Sequence, residues 1–442
     1  MHQGKEARPM RIKAWLASLL ILAGGVFLAM SLTRGQDPTN APSLTVPKTP
    51  APAAGQRASV PAQAERPIRD LSKLPPLQKQ VYLSALAGTG WLHRANGPDG
   101  RFVYGYVPAL KTPMEGDHFL RQAGAAAALA RAARFTGDPH HAARATQAIV
   151  ALLGDTVIDG QDSQARHSVF PNATVNRLAA AGLLVLAIHE LPAPEKDLLE
   201  KSEQLCNSIR QKQRADGSLS FADDSKAEAD DPDGVNYYPG EALYGLMRSQ
   251  QRQPAAWKTD LVRKSLGYYR PWWRQHKSMA LVPWQTAACT EAYLLTKEQA
   301  FADFVYEMND WLCGLQYERL EPRQVLWYGG FMAWSDGKAV ESAPQVSSAS
   351  YAEGLAEACR VAREAGDLTR YRRYSDALER CLQFLTTLQY TEANTQHFAD
   401  WYRPMLLGAF HASHQDGNLR IDYAQHAVCA MVQYLTYVAR VQ

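Results

Sequence analysis

From about Leu77 onward in this 442-residue chain, apolar side chains recur at i, i+3, i+4 and i+7, the spacing of one buried helix face. The pattern predicts twelve helices, at 77–93, 117–136, 139–153, 173–190, 194–214, 239–250, 254–275, 284–296, 298–315, 348–366, 369–390 and 423–440. Helix-stopping residues mark the breaks. Gly137-Asp138-Pro139 and Leu191-Pro192-Ala193-Pro194 each separate two helices by a tight turn.

The connections alternate in length. Short turns near 137, 192, 252, 297 and 367 join one helix to the next, and longer loops mostly separate the pairs. Helices that follow long loops begin about 61 residues apart on average, a repeat at fixed scale. They are rich in small residues, as in GAAAALARAA and RLAAAGLL, which lets neighbouring helices converge. Their partners, such as DLLEKSEQLCNSIRQKQR, are larger and more charged. Six inner helices wrapped by six outer ones are expected. Asp-Gly pairs at Asp99-Gly100, Asp216-Gly217, Asp336-Gly337 and Asp416-Gly417 lie between outer and inner helices and predict tight hairpin turns.

This architecture, with HFLRQAG at His118–Gly124 and YYPGEAL at Tyr237–Leu243, resembles the six-hairpin (α/α)6 toroids, which include glycoside hydrolases, sugar epimerases and several polysaccharide lyases. The resemblance spans roughly residues 77–442 without singling out one family. It implies an all-α toroid whose active site lies at the amino-terminal end of the inner helices, with a poly- or oligosaccharide as ligand. The stretch from Gln213 to Leu219 also resembles the Gln-x-x-x-Gly-x-Trp repeat of terpene cyclases. Leu219 replaces the aromatic residue and no DxDD motif is present, so cyclase chemistry is not expected.

Ahead of the helices, Ala14–Leu32 is an uncharged apolar run following Arg8, Arg11 and Lys13. It is long enough to span a bilayer, and the basic flank keeps that side in the cytoplasm. An uncleaved anchor is expected over a cleaved signal peptide, because the run exceeds the usual apolar length and no small-x-small site follows at once. Segment 1–13 is then cytoplasmic, 14–32 the anchor, 33–76 a Pro/Ala-rich tether and 77–442 an exported body. The first 76 residues carry a net charge of +6, which leaves −3 on the rest. Such a body is a poor binder of nucleic acid.

Candidate chemistry follows from the inner-helix starts, whose partial positive charge favours carboxylates. Hydrolysis of a glycosidic bond needs one protonated and one ionised carboxyl group. Glu241 is the leading candidate, with Asp231 or Asp233 from the preceding acidic loop as its partner. Glu241 also reads as a third-position helix residue after Pro239, and Ser350-Tyr-Ala-Glu353 reads as a capping box. Asp117 and Asp422 read as helix N-caps.

Lyase or epimerase chemistry would instead use a base such as His118, Tyr237, Tyr238, Tyr351 or His426 and a neutralising Arg121, Gln122 or Asn176. His118 and Arg121 share one helix face, where Arg121 can equally pair with a neighbouring Asp. Trp284 and Glu353 complete the candidate substrate-binding set on the inner helices, and Trp334 heads the loop aromatics that suit sugar faces. A third reading is a non-catalytic glycan-binding or scaffold component of a polysaccharide synthesis or export system. The six cysteines all fall in predicted helices at heights that do not match for disulfides, and read as buried thiols. No zinc, P-loop or dinucleotide motif occurs, so no metal or cofactor is expected.

Overall fold

The computed structural model describes residues 71–169, 176–222, 231, 233–322 and 324–441. The contacts set Arg66–Gln442 apart as one compact unit. The apolar segment Ala14–Leu32 and the tether up to Asp70 lie outside the described residues. Among the described residues, no helix is long and apolar enough to cross a membrane.

Each of the twelve helices predicted from the apolar spacing is present. They are α1 (Pro76–Ala95), α2 (Phe119–Thr136), α3 (Pro139–Gly154), α4 (Arg177–Glu190), α5 (Lys196–Gln211), α6 (Tyr238–Gln250), α7 (Ala256–Gln275), α8 (Leu281–Thr296), α9 (Gln299–Cys313), α10 (Ser348–Glu364), α11 (Leu368–Thr387) and α12 (Ile421–Gln433). The inner set is α2, α4, α6, α8, α10 and α12, each packed on the next, with α12 returning to α2. The outer helices α3, α5, α7, α9 and α11 each pack on the inner helix before them. The sixth outer position is filled by α1, which packs on α12, so the ring is closed by segments more than 300 residues apart.

Small residues set the spacing of the inner ring. A Cβ added to Gly182 of α4 would lie 2.5 Å from the Ala242 Cα of α6, and one on Gly245 of α6 would lie 2.2 Å from the Gly182 carbonyl oxygen. Nearly every residue of α4 is buried, as expected of a helix enclosed on all sides.

The carboxy-terminal half of the inner ring is plugged by charge. Arg131 of α2 meets Glu190 of α4 at 3.0 Å, and Glu190 meets Arg248 of α6 at 3.2 Å. Arg248 meets Glu291 of α8 at 3.2 Å, and Glu291 meets Arg360 of α10 at 2.8 Å. Gln433 of α12 donates to Glu357 of α10 at 2.8 Å. Every inner helix contributes to this network, which satisfies charges that burial would otherwise penalise. Burial would raise the Glu190 pKa, but Arg131, Arg248 and Arg134 hold it well below the usual carboxylate range.

Short strands top the other end. β1 (Gly105–Val107), β2 (Thr112–Pro113), β7 (His411–Ser413) and β8 (Asp416–Arg420) form an antiparallel sheet in the order β2-β1-β8-β7, with Gly105 opposite Arg420. β3 (Thr156–Ile158) pairs with β4 (Arg166–Ser168), and β5 (Ala333–Ser335) with β6 (Lys338–Val340). The Asp-Gly pairs fall in three settings. Asp336-Gly337 turns the β5–β6 hairpin, and Asp99-Gly100 and Asp216-Gly217 turn short loops closed by single bridges, Asn96 to Phe102 and Gln213 to Leu219. Asp416-Gly417, expected to form a turn, instead opens strand β8 after a turn at His414-Gln415. Gly217 has φ +96°, which favours glycine. All six cysteines are free and buried.

Candidate active site

The amino-terminal ends of the inner helices surround a bowl of about 490 Å³. α2 brings Arg121, with His118 at its N-cap. α6 brings Tyr238 and Glu241, preceded by Tyr237. Trp284 comes from α8, Tyr351 from α10, and Asp422 and His426 from α12, while Arg420 enters from β8. The spacing of the inner repeats thus gathers residues more than 300 positions apart.

Glu241 is the most unusual of these. α6 begins at Tyr238 rather than at Pro239, so Glu241 sits one position deeper than a capping residue and its backbone N–H already donates to Tyr237. Its side chain is buried, and Oε2 has no hydrogen-bond partner. Burial pushes its pKa up to about 7, with His426 opposing. A carboxyl group in this state holds its proton near neutrality.

Asp422 is the reverse case. α12 starts at Ile421 after an Arg420 N-cap, so Asp422 does not cap the helix. Both its oxygens are clasped by Arg420, at 2.6 and 2.8 Å, and Arg121 lies 3.3 Å away. Burial would raise its pKa, but Arg420 and Arg121 hold it below the ordinary value. The bowl therefore contains one carboxyl held protonated and one held ionised.

His426 donates from Nδ1 to Glu353 at 2.6 Å, and its ring meets Trp284 edge-on with centroids 6.0 Å apart. Burial would lower the His426 pKa, but Glu353, Asp422 and Glu241 raise it. Glu353 stands behind the bowl wall and is also 3.7 Å from Arg131 of the axial network. Because α10 begins at Ser348, the stretch Ser350–Glu353 is not a capping box. The His118 pKa is lowered by burial, with Asp422 opposing, and its Nδ1 is buried without a partner.

Other expected site residues lie elsewhere. Asn176 is the N-cap of α4, accepting from the Ala179 N–H at 3.0 Å, because the start of that helix needs its carbonyl oxygen. Gln122 is buried in a clamp, exchanging two hydrogen bonds with the Phe102 backbone and donating to Asp117. Asp231 is held against Tyr238, whose phenol pKa is raised by burial and by Asp231. Asp233 and Trp334 line a neighbouring cleft instead of the bowl. Of the acidic loop's described carboxylates, neither Asp231 nor Asp233 lines the bowl, whereas Asp422 lines it beside Glu241. Among the described residues, no cluster of histidine, cysteine and carboxylate ligands is arranged to hold a metal.

No protein-family model matches the chain, and no curated protein sequence matches it. Solved structures do. A D-mannose isomerase superposes with a TM-score of 0.59 at 12% identity, covering 82% of this chain and 99% of the isomerase. The unsaturated glucuronyl hydrolase of Bacillus sp. GL1, responsible for glycosaminoglycan degradation, gives 0.55 at 12% identity over 82% and 98%. An inactive variant of the alpha-1,6-mannanase of Salegentibacter sp. HEL1_6, in complex with alpha-1,6-mannotetrose, gives 0.51 at 11% over 82% and 97%. At such identities the likeness is one of fold, and the fold is the (α/α)6 toroid.

Proposed function

We propose that the chain is a carbohydrate-active enzyme that cleaves glycosidic bonds in the bowl, with Glu241 as proton donor and Asp422 as the ionised carboxylate. One observation carries the reading: two carboxyl groups in the same cavity are held in opposite protonation states by their surroundings, Glu241 by burial and Asp422 by two arginines. In this scheme Glu241 protonates the leaving oxygen as the sugar C–O bond breaks. Asp422 faces the positive charge that builds on the ring and accepts the proton of the attacking water. The fold is shared with a mannanase and a glucuronyl hydrolase, which agrees with this chemistry.

Glu241→Gln keeps the shape and removes the proton donor. Turnover on a glycan panel is expected to fall by about 10²-fold or more, with an unchanged circular dichroism spectrum. Retained activity would reject the assignment.

The His426–Glu353 contact favours a second reading, acid–base isomerisation or epimerisation of a sugar or uronate, in which His426 Nε2 exchanges the proton. Solvent deuterium entering recovered sugar without chain cleavage would select it over hydrolysis. We further propose, from Ala14–Leu32 and its basic flank, that the body is exported and tethered to the membrane. Protease accessibility of the body in intact cells tests that placement.

A further inference from the structure

Beside the bowl lies a second cleft of about 640 Å³, between the segment joining α7 to α8 and the β5–β6 hairpin. The two cavities share Ala280, Gln345, Ser347 and Tyr351 as lining, so they adjoin. Each falls within the roughly 300–1,000 Å³ typical of cavities that enclose a whole small ligand. Together they have room for more than the ring undergoing reaction.

We infer that this cleft binds the sugar units of a chain that extends out of the bowl, so that the enzyme works on oligomers and polymers in preference to single sugars. The inference rests on the carbohydrate reading of the bowl and adds where the remainder of the substrate lies.

The lining suits that occupant. Trp272 and Trp334, from two different elements, both face the cleft and are partly exposed. Trp334 is braced edge-on by Trp311, with centroids 5.1 Å apart and planes at 82°, and Trp311 is braced in turn by Trp273 at 5.4 Å. A ring held in this way offers a fixed flat surface to the C–H face of a sugar. Asn236 lines the same cleft, and its side-chain oxygen is buried without a hydrogen-bond partner, an acceptor suited to a hydroxyl group. Asp233 and Asp336 share the wall with Lys277, so charges of both signs are present and the wall suits selection by stacking and hydroxyl contacts.

The test uses the full chain on an array of neutral and uronic-acid oligosaccharides, each linkage printed as dimer and octamer. At least one linkage is expected to bind about tenfold or more tighter as octamer than as dimer. Trp334→Ala is expected to abolish that preference. Because Trp334 sits on a surface hairpin, circular dichroism checks that the variant folds, and Asn236→Ala gives an independent second probe of the cleft. An octamer bound no better than its dimer, or a preference that survives both substitutions, would overturn the inference and leave the bowl chemistry standing. Failure of every glycan to bind would reject the carbohydrate reading and this inference with it.

Discussion

Burying a carboxyl group without a partner ties stability to pH. Glu241 keeps its proton in the folded chain up to about pH 7, whereas the unfolded chain releases it near the ordinary value of 4.5. Its contribution is therefore fully present below pH 4.5 and is lost as pH rises through 7, a change of about 3 kcal/mol. Urea unfolding of wild type and Glu241→Gln at pH 4.5 and 8 is expected to show the variant gaining relative stability at the higher pH. If Glu241 and Asp422 act as proposed, activity should fall as pH rises through about 7, and the acid limb, set by Asp422, should lie below the usual carboxylate range. A pH–rate profile with no loss between pH 6 and 8 would remove Glu241 as the acid. Glu241, His118, Arg121 and His426 could be read from the sequence because they fall in the first turns of recognisable inner helices. That Asp422 lines the cavity instead of capping α12 could not, since the strand before α12 makes Arg420 the cap. The His426–Glu353 contact spans 73 positions and carries no local signal.

At the scale of elements, apolar spacing located the helices to within a few residues, because the outer helices bury one face and the inner helices are apolar or small nearly all round. The misplaced ends share a cause. Gln213, Gln316 and Gln389 extend the helical pattern, yet the chain leaves the helix there to form single bridges to Leu219, Phe331 and Phe410. The half-buried Gln213 amide donates to Leu261 O and Ser265 Oγ of α7, buried Gln316 to Ala377 O of α11 and buried Gln389 to Ser84 O of α1, so each ties an outer helix to the next. This glutamine repeat was visible at Gln213 alone, because only there does an Asp-Gly turn follow closely. The axial ion network was illegible, since each partner lies on a different helix. Arg131→Met leaves Glu190 buried with one cation fewer and is expected to cost about 3–5 kcal/mol by urea titration. Gly182→Val drives a side chain into the α6 backbone and should destabilise by about 1–3 kcal/mol or more.

For the whole molecule, the fixed repeat of about 61 residues made the toroid readable, because helix pairs that cannot bury their inner faces alone must close on one another. What the repeat did not reveal is which strands and loops crown the bowl, since these differ at every position of the ring. The compact unit starts at Arg66, so removing residues 1–65 is expected to leave its thermal midpoint unchanged. Removing residues 1–95 takes away α1 and should abolish cooperative unfolding in a calorimetric scan.

The pairing of α1 with α12 also orders events during synthesis. Eleven of the toroid's twelve helices leave the ribosome before α12 does, and until it arrives α1 lacks the inner helix on which it packs most closely, while Asp422 and His426 are missing from the cavity. Until that helix emerges the ring stays open, and its closure and the last two side chains of the bowl arrive in the same step.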